Sequence, residues 1–226
     1  MDTPETAARP AAPHQLGGAD AFTGPVPGID DAERFHEGWE ARVFALYRAL
    51  TDRRLFTTDQ HRDAVERIDA GQYHEITYFE RWLAAIERVV VERGLITAEE
   101  LDAAQQRRFA GHDDDHPAPP HLAEYAPQDL TAPDTVDPLP VGTRVRLVDG
   151  LGRHHRLPDW ARGRSGTIHA VRGLFELPDL IVAEASEGRR YPLYAVAIPA
   201  RAAFPDAHPA DVVYLDAYHP YLRQEA

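Results

Sequence analysis

Hydrophobic positions along the chain fall into two regimes. From Phe35 to about Ala104 the apolar residues recur at three- and four-residue steps, the spacing of one helix face. Phe35, Trp39, Val43, Leu46 and Leu50 make one stripe; Phe79, Trp82, Leu83, Ile86, Val89 and Val90 make another. Thr77 and Glu80 stand three apart before the second stripe, where a capping box starts a helix by pairing otherwise orphaned N–H groups. Gly94 ends that helix, and Thr97 with Glu100 opens the next, through Leu101 and Ala104 to about Gly111. A shorter helix fits Asp59 to Ile68. After Pro140 the period becomes two. Thr143–Val148, Gly166–Val171, Pro192–Ile198 and Asp211–Asp216 read as short strands separated by Gly and Pro turns. Four or five strands in roughly 85 residues predict a small barrel.

Proline marks the boundaries. It is frequent from Pro4 to Pro27 and again from Pro117 to Pro140. The division that follows is an extended arm (1–29), a helical domain (30–111), a Pro/Asp-rich linker (112–140) and a small SH3-like β-barrel domain (141–226). The fold class is α+β. The helical part carries more aromatic surface than a bundle of its size buries alone.

Composition narrows the function classes. The 226 residues carry 24 basic and 37 acidic side chains, a formal net charge of −13, the wrong sign for tracking nucleic-acid phosphates. Cysteine is absent, which removes disulfides, thiolate metal ligands and cysteine nucleophiles. Every basic residue is arginine, so lysine Schiff-base and P-loop chemistry are absent too. No apolar run nears the roughly 20 residues of a membrane span. Met1 to Pro13 lacks the apolar core of a secretory signal, so the cytoplasm is the expected compartment.

Three groups of residues are candidates for chemistry. His112-Asp113-Asp114-Asp115-His116, with His121 nearby, has metal-ligand side chains but sits in the proline-rich linker, not on rigid elements, and reads as a solvated segment. Trp39, Tyr47, Tyr78, Phe79 and Trp82 are an aromatic set on two helices. Tyr78 and Phe79 are adjacent, about 100° apart on a helix, so one lines a pocket while the other packs. Arg62 lies on the short second helix, and Arg153, Arg156, Arg162 and Arg164 load the first loop of the barrel together with His154 and His155. Such a loop is either solvated or a fork of guanidinium donors aimed at an anion. No Ser/His/Asp order, glycine-rich phosphate loop or HExxH helix occurs.

At this point the motifs carry a resemblance. His14-Gln-Leu-Gly17-Gly18 with Gly24-Pro25-Val26, Phe35-His-Glu-Gly-Trp39-Glu40, Asp59-Gln-His-Arg62 and Tyr78-Phe79-Glu-Arg-Trp82 follow one another in order. They are joined by His154-His155-Arg156, Trp160-Ala-Arg162-Gly, Gly166-Thr-Ile168 and the closing His219-Pro220-Tyr221-Leu222. Over roughly His14 to Leu222 the chain resembles the β subunit of nitrile hydratase, which hydrates nitriles to amides, and of the related thiocyanate hydrolase. No single motif is decisive; their order and spacing are.

The resemblance implies a division of labour. In the family the α subunit holds low-spin cobalt(III) or iron(III) in a Cys-x-x-Cys-Ser-Cys claw with two oxidised cysteines, and the β subunit binds no metal. Two β-subunit arginines hydrogen-bond the oxidised sulfurs, and by motif these correspond to Arg62 and Arg156. Tyr47, Thr58, His61, Tyr78 and Trp82 resemble the wall of the substrate pocket. Thr58 and His61 stand where the family usually has apolar residues, which implies a more polar pocket. Phe79 replaces a usual second tyrosine. The implied partners are the α subunit, in a heterodimer or heterotetramer, and a small nitrile.

Two alternatives stand beside it. Thiocyanate hydrolase resembles a nitrile hydratase whose β subunit is split in two, and a small anion suits a polar pocket. The barrel alone, with Arg162-Gly-Arg-Ser-Gly-Thr-Ile168, resembles SH3-like adaptor modules, and the helical half resembles metallochaperone-like activators. The net charge opposes the adaptor reading, which also leaves the aromatic helices unexplained.

Overall fold

The structure, a computed structural model, describes residues 34–109 and 136–225. The arm (1–29), the His112–His116 run and His121 lie outside the described residues.

Five helices fill the first stretch: α1 (Gly38–Asp52), α2 (Thr58–Glu66), α3 (Ala70–Tyr73), α4 (Tyr78–Glu92) and α5 (Ala98–Phe109). Their starts are written in local chemistry. Thr77 Oγ1 accepts from the Glu80 N–H at 3.4 Å while Glu80 Oε2 accepts from the Thr77 N–H at 2.6 Å, and Thr97 with Glu100 repeats the box. Two further boxes, Glu37 with Glu40 and Thr57 with Gln60, start α1 and α2. Gly94, at φ 66°, adopts the left-handed conformation that ends α4 without a Cβ clash. The apolar faces meet in a core of Val43, Tyr47, Phe56, Phe79, Ile86 and Val89, with fully buried Ala64 and Ala85 where α2 lies against α4.

The second stretch is one antiparallel sheet in the order β4-β3-β2-β1-β5, from β1 (Arg144–Leu147), β2 (Ser165–Glu176), β3 (Arg190–Pro199), β4 (Val212–Tyr218) and β5 (Leu222–Gln224). Two short helices, α6 (Pro178–Val182) and α7 (Ala200–Ala203), connect strands. The architecture is α+β, as the change of period predicts. A closed barrel is not what is seen: among the described residues the edge strands β4 and β5 do not pair with each other. They are consecutive, and the 3-10 turn His219–Tyr221, with Pro220 early in it, carries the chain across to pair beside β1 instead. One side of the sheet buries Val145, Leu147, Ile168, Tyr194, Val196 and Ile198 against Leu177, Leu180 and Tyr221.

α2 joins the halves. It packs against α6, and Glu184 just beyond α6 accepts from Gln60 Nε2 at 3.2 Å and Arg93 Nη1 at 2.7 Å. Deeper in, Asp63 is buried and takes Arg153 Nη2 at 3.0 Å from the sheet half and Arg67 Nε at 3.0 Å from its own helix. Arg67 in turn forks onto Glu92 of α4 at 2.7 and 2.9 Å. No helix among the described residues is long and apolar enough to cross a membrane.

Removing one member of a buried ion network strands its partners' charge, which costs far more than losing an exposed pair. Asp63→Ala is therefore expected to lower the unfolding free energy by about 3 kcal/mol in urea denaturation. Asp52→Ala, which breaks the exposed Arg48–Asp52 pair, costs less than about 0.5 kcal/mol. Equal effects from the two would contradict this account of the seam.

Candidate functional site

Helix α2 is nine residues long, and its residues at steps of three and four lie on one side. Thr58, His61, Arg62, Val65 and Glu66 share that side and line a cavity of about 510 Å³. Tyr47 from α1, Tyr73 from α3, Tyr78 and Trp82 from α4, and Arg156 from the β1–β2 loop complete its wall. The seven residues singled out in the sequence (Tyr47, Thr58, His61, Arg62, Tyr78, Trp82 and Arg156) thus meet around one space. Val65, Glu66 and Tyr73 were not singled out. The signal for Val65 and Glu66 was present: they continue the helical steps from Thr58, His61 and Arg62. Tyr73 sits on a four-residue helix too short to show a period.

The wall is aromatic and the floor polar. The Tyr47 and His61 ring centroids are 4.8 Å apart, Tyr47 and Trp82 4.7 Å, and His61 and Trp82 5.0 Å. Tyr78 stands 59% exposed at the rim, whereas the neighbouring Phe79 is buried against Phe35 and Trp82. The 100° turn between adjacent helical residues separates them as expected. The Tyr47 hydroxyl meets Thr58 Oγ1 at 2.9 Å. His61 Nε2 donates to the Trp82 carbonyl at 3.3 Å. Burial, joined by the Arg62 charge and opposed by that hydrogen bond, pushes the His61 imidazole down to about 4, so the ring is neutral near pH 7.

The two cavity arginines are held differently. Arg62 has a side chain 58% exposed and only a loose 3.8 Å approach to Asp59. Arg156 places Nη2 2.9 Å from Glu66 Oε1, and its Nη1 lies 3.4 Å from His154 Nε2. His154, fully buried, donates from Nδ1 to Glu66 Oε2 at 2.8 Å, with Nε2 3.5 Å from Asp59 Oδ1. Burial opposes charge on this ring, but the hydrogen bonds to Asp59 and Glu66 and the Glu66 charge outweigh it and hold its pKa above the ordinary 6.5.

The loop that carries Arg156 is clamped beneath. The Tyr221 hydroxyl accepts from the Arg156 backbone N–H and donates to the buried Asp179 carboxylate, which also accepts from the Gly152 N–H at 2.7 Å. The Tyr221 carbonyl takes the Val148 N–H at 2.8 Å. Gly150 is packed so closely that a Cβ there would lie 2.3 Å from the Cβ of His155. The arginines of the loop are therefore put to different uses. Arg153 is spent on Asp63, and Arg162 pairs with Asp149 at 2.5 Å and Asp159 at 3.0 Å. Arg164 reaches the Trp160 carbonyl at 3.4 Å, and only Arg156 of the loop reaches the cavity.

Comparison with known proteins bears on this arrangement. Residues 11–129 match the profile of the nitrile hydratase beta subunit, N-terminal, and residues 103–224 match its C-terminal counterpart. The chain belongs to the nitrile hydratase β-subunit family. It is 31% identical to the low-molecular weight cobalt-containing nitrile hydratase subunit beta of Rhodococcus rhodochrous, covering 92% of this chain and 97% of that one. It is 31% identical to the nitrile hydratase subunit beta of Pseudomonas chlororaphis, covering 92% and 93%. The thiocyanate hydrolase subunit beta of Thiobacillus thioparus is 35% identical over 92 residues, which is 39% of this chain and 54% of that one.

The chain has no cysteine, and among the described residues no group of three or more His, Asp or Glu side chains could hold an ion. What the cavity offers instead is guanidinium, the donor suited to anionic oxygen atoms.

Two outcomes follow. Because its folded pKa is raised, His154 contributes stability that is complete below about pH 6.5 and is lost as pH climbs through the higher folded value. The advantage of the parent over His154→Gln in urea denaturation should be largest near pH 6 and shrink toward pH 9; an advantage that grows with pH contradicts the pairing. Tyr221→Phe leaves the Arg156 N–H unpaired and Asp179 short of a donor, and is expected to cost about 2 kcal/mol. A cost within about 0.5 kcal/mol would mean that the clamp does not hold the loop.

Proposed function

We propose that this chain is the β subunit of a nitrile hydratase that hydrates nitriles to amides only in complex with an α subunit. The observation that carries the reading is the placing of two guanidinium groups, from separate elements, beside one aromatic-walled cavity open to the protein surface. Arg62 is solvent-facing and nearly uncommitted, and Arg156 is held from below by Glu66 and Tyr221. Such donors suit anionic sulfur oxygens presented across an interface, where charge-assisted hydrogen bonds are strongest and a planar fork fixes two oxygens at once.

The cobalt or iron of the α subunit supplies Lewis-acid activation of nitrile or water. The residues of this chain do the rest from their own side. Arg62 and Arg156 hold the oxidised cysteine ligands in place and thereby tune the centre they belong to. Tyr47, Tyr78 and Trp82 wall the substrate and exclude water from its apolar part, while Thr58 and His61 offer hydrogen bonds. The neutral imidazole of His61 keeps a third positive charge out of a pocket already flanked by two arginines.

Thiocyanate hydrolysis is a second reading, favoured by the relative of that activity and by the polar floor of the cavity. Rates of the assembled complex on thiocyanate and on a small nitrile separate the two.

Arg62→Lys and Arg156→Lys keep the charge but lose the fork. Each is expected to reduce nitrile hydration 10- to 100-fold while size-exclusion chromatography shows the subunits still assembled. Turnover at the parent rate in both would remove the claim that these arginines hold the oxidised ligands.

A further inference from the structure

An aromatic cavity gains selectivity from its few polar groups, and here they form a matched pair. His61 spends Nε2–H on the Trp82 carbonyl, so the neutral ring keeps Nδ1 as an acceptor. The Tyr47 and Thr58 hydroxyls carry two protons between them, and their 2.9 Å contact uses one. The second proton remains as a donor. Thr58 and His61 are three apart on α2 and so stand on the same side of the helix, with Tyr47 closing the gap from α1. One side of the cavity thus presents an acceptor and a donor on an otherwise ring-lined wall.

An alcohol hydroxyl is both donor and acceptor, and answers the pair at once. A methyl group in its place leaves both partners without a hydrogen bond inside a half-closed cavity, which is where discrimination against an analogue becomes strong. We propose that Tyr47, Thr58 and His61 form a hydroxyl-recognising subsite, so that the preferred substrates are nitriles bearing a hydroxyl a few bonds from the C≡N carbon. This rests on the nitrile hydratase reading above and adds the substrate class to it. The subsite is distinct in role from Arg62 and Arg156, which line the same cavity. Cations are poor candidates for the subsite, since both arginines flank it.

The test compares 3-hydroxypropionitrile with butyronitrile, which differ by O–H against CH₃, on the assembled complex. The hydroxynitrile is expected to show a kcat/KM about tenfold higher, the worth of one well-made hydrogen bond. Thr58→Val, close to isosteric, and His61→Leu should each collapse that ratio toward one. Ligand-observed NMR on the complex assembled without its metal gives the same order in affinity, free of any effect on turnover. A parent enzyme that prefers butyronitrile, or a ratio unmoved in both variants, overturns the subsite while leaving nitrile hydration standing. Hydration of neither nitrile overturns the reading beneath it as well.

Discussion

The rest of the molecule depends on the row of carboxylates along one flank of α2. Asp59, Asp63 and Glu66 lie at helical steps, and the segment 153–156 of the sheet half lays its cations against them: Arg153 on Asp63, His154 between Glu66 and Asp59, Arg156 on Glu66. A nine-residue helix is too short to be stable alone, so its position comes from what it packs against. The adjoining side of the helix faces the cavity, and Glu66 stands at the border of the two. The seam that fastens the helical half to the sheet therefore also sets where Arg62 and Arg156 stand relative to the aromatic wall. Isolated surface ion pairs contribute little, but this row is largely buried and shared, and breaking it leaves charge uncompensated.

The same seam separates arginines committed to internal ion pairs from the two that line the cavity. Arg67 and Arg153 are committed to Asp63, and Arg162 to Asp149 and Asp159. Arg62 has only a distant partner, and Arg156 is anchored along one edge. A guanidinium held along one edge loses little further entropy when an anion arrives, which is the use of preorganised donors at an interface.

Much of the fold was legible in the sequence because it is local. The Thr77–Glu80 and Thr97–Glu100 boxes name their helix starts to the residue, and Gly94 names a stop. β1 follows its alternation, with Val145 and Leu147 buried between exposed arginines, and β3 lies where it was read although it is buried on both faces along most of its length. What was missed is either too short to have a period, as with α3, α6 and β5, or broken by irregularity. β2 runs on to Glu176 through two register shifts and a glycine at φ 132°, which hide the alternation beyond Val171. The open sheet, in place of a barrel, turns on the short crossing at Pro220, which no pattern announces. In the cavity, Thr58 and His61, like the pairing of Arg62 with Arg156, came from the family resemblance, and the shared face of α2 accounts for why its members meet. The roles of His154, Asp179 and Tyr221 were not legible, because long-range hydrogen bonds between residues 42 or 88 positions apart leave no local signature.

The central claim is that the cavity is half of a site whose metal belongs to another chain. The most direct measurement is the mass and metal content of whatever co-purifies with this protein from its native source. The account predicts a cysteine-containing partner of similar size, in equal amount, with about one cobalt or iron per pair. A chain that emerges alone, monodisperse and metal-free would contradict it.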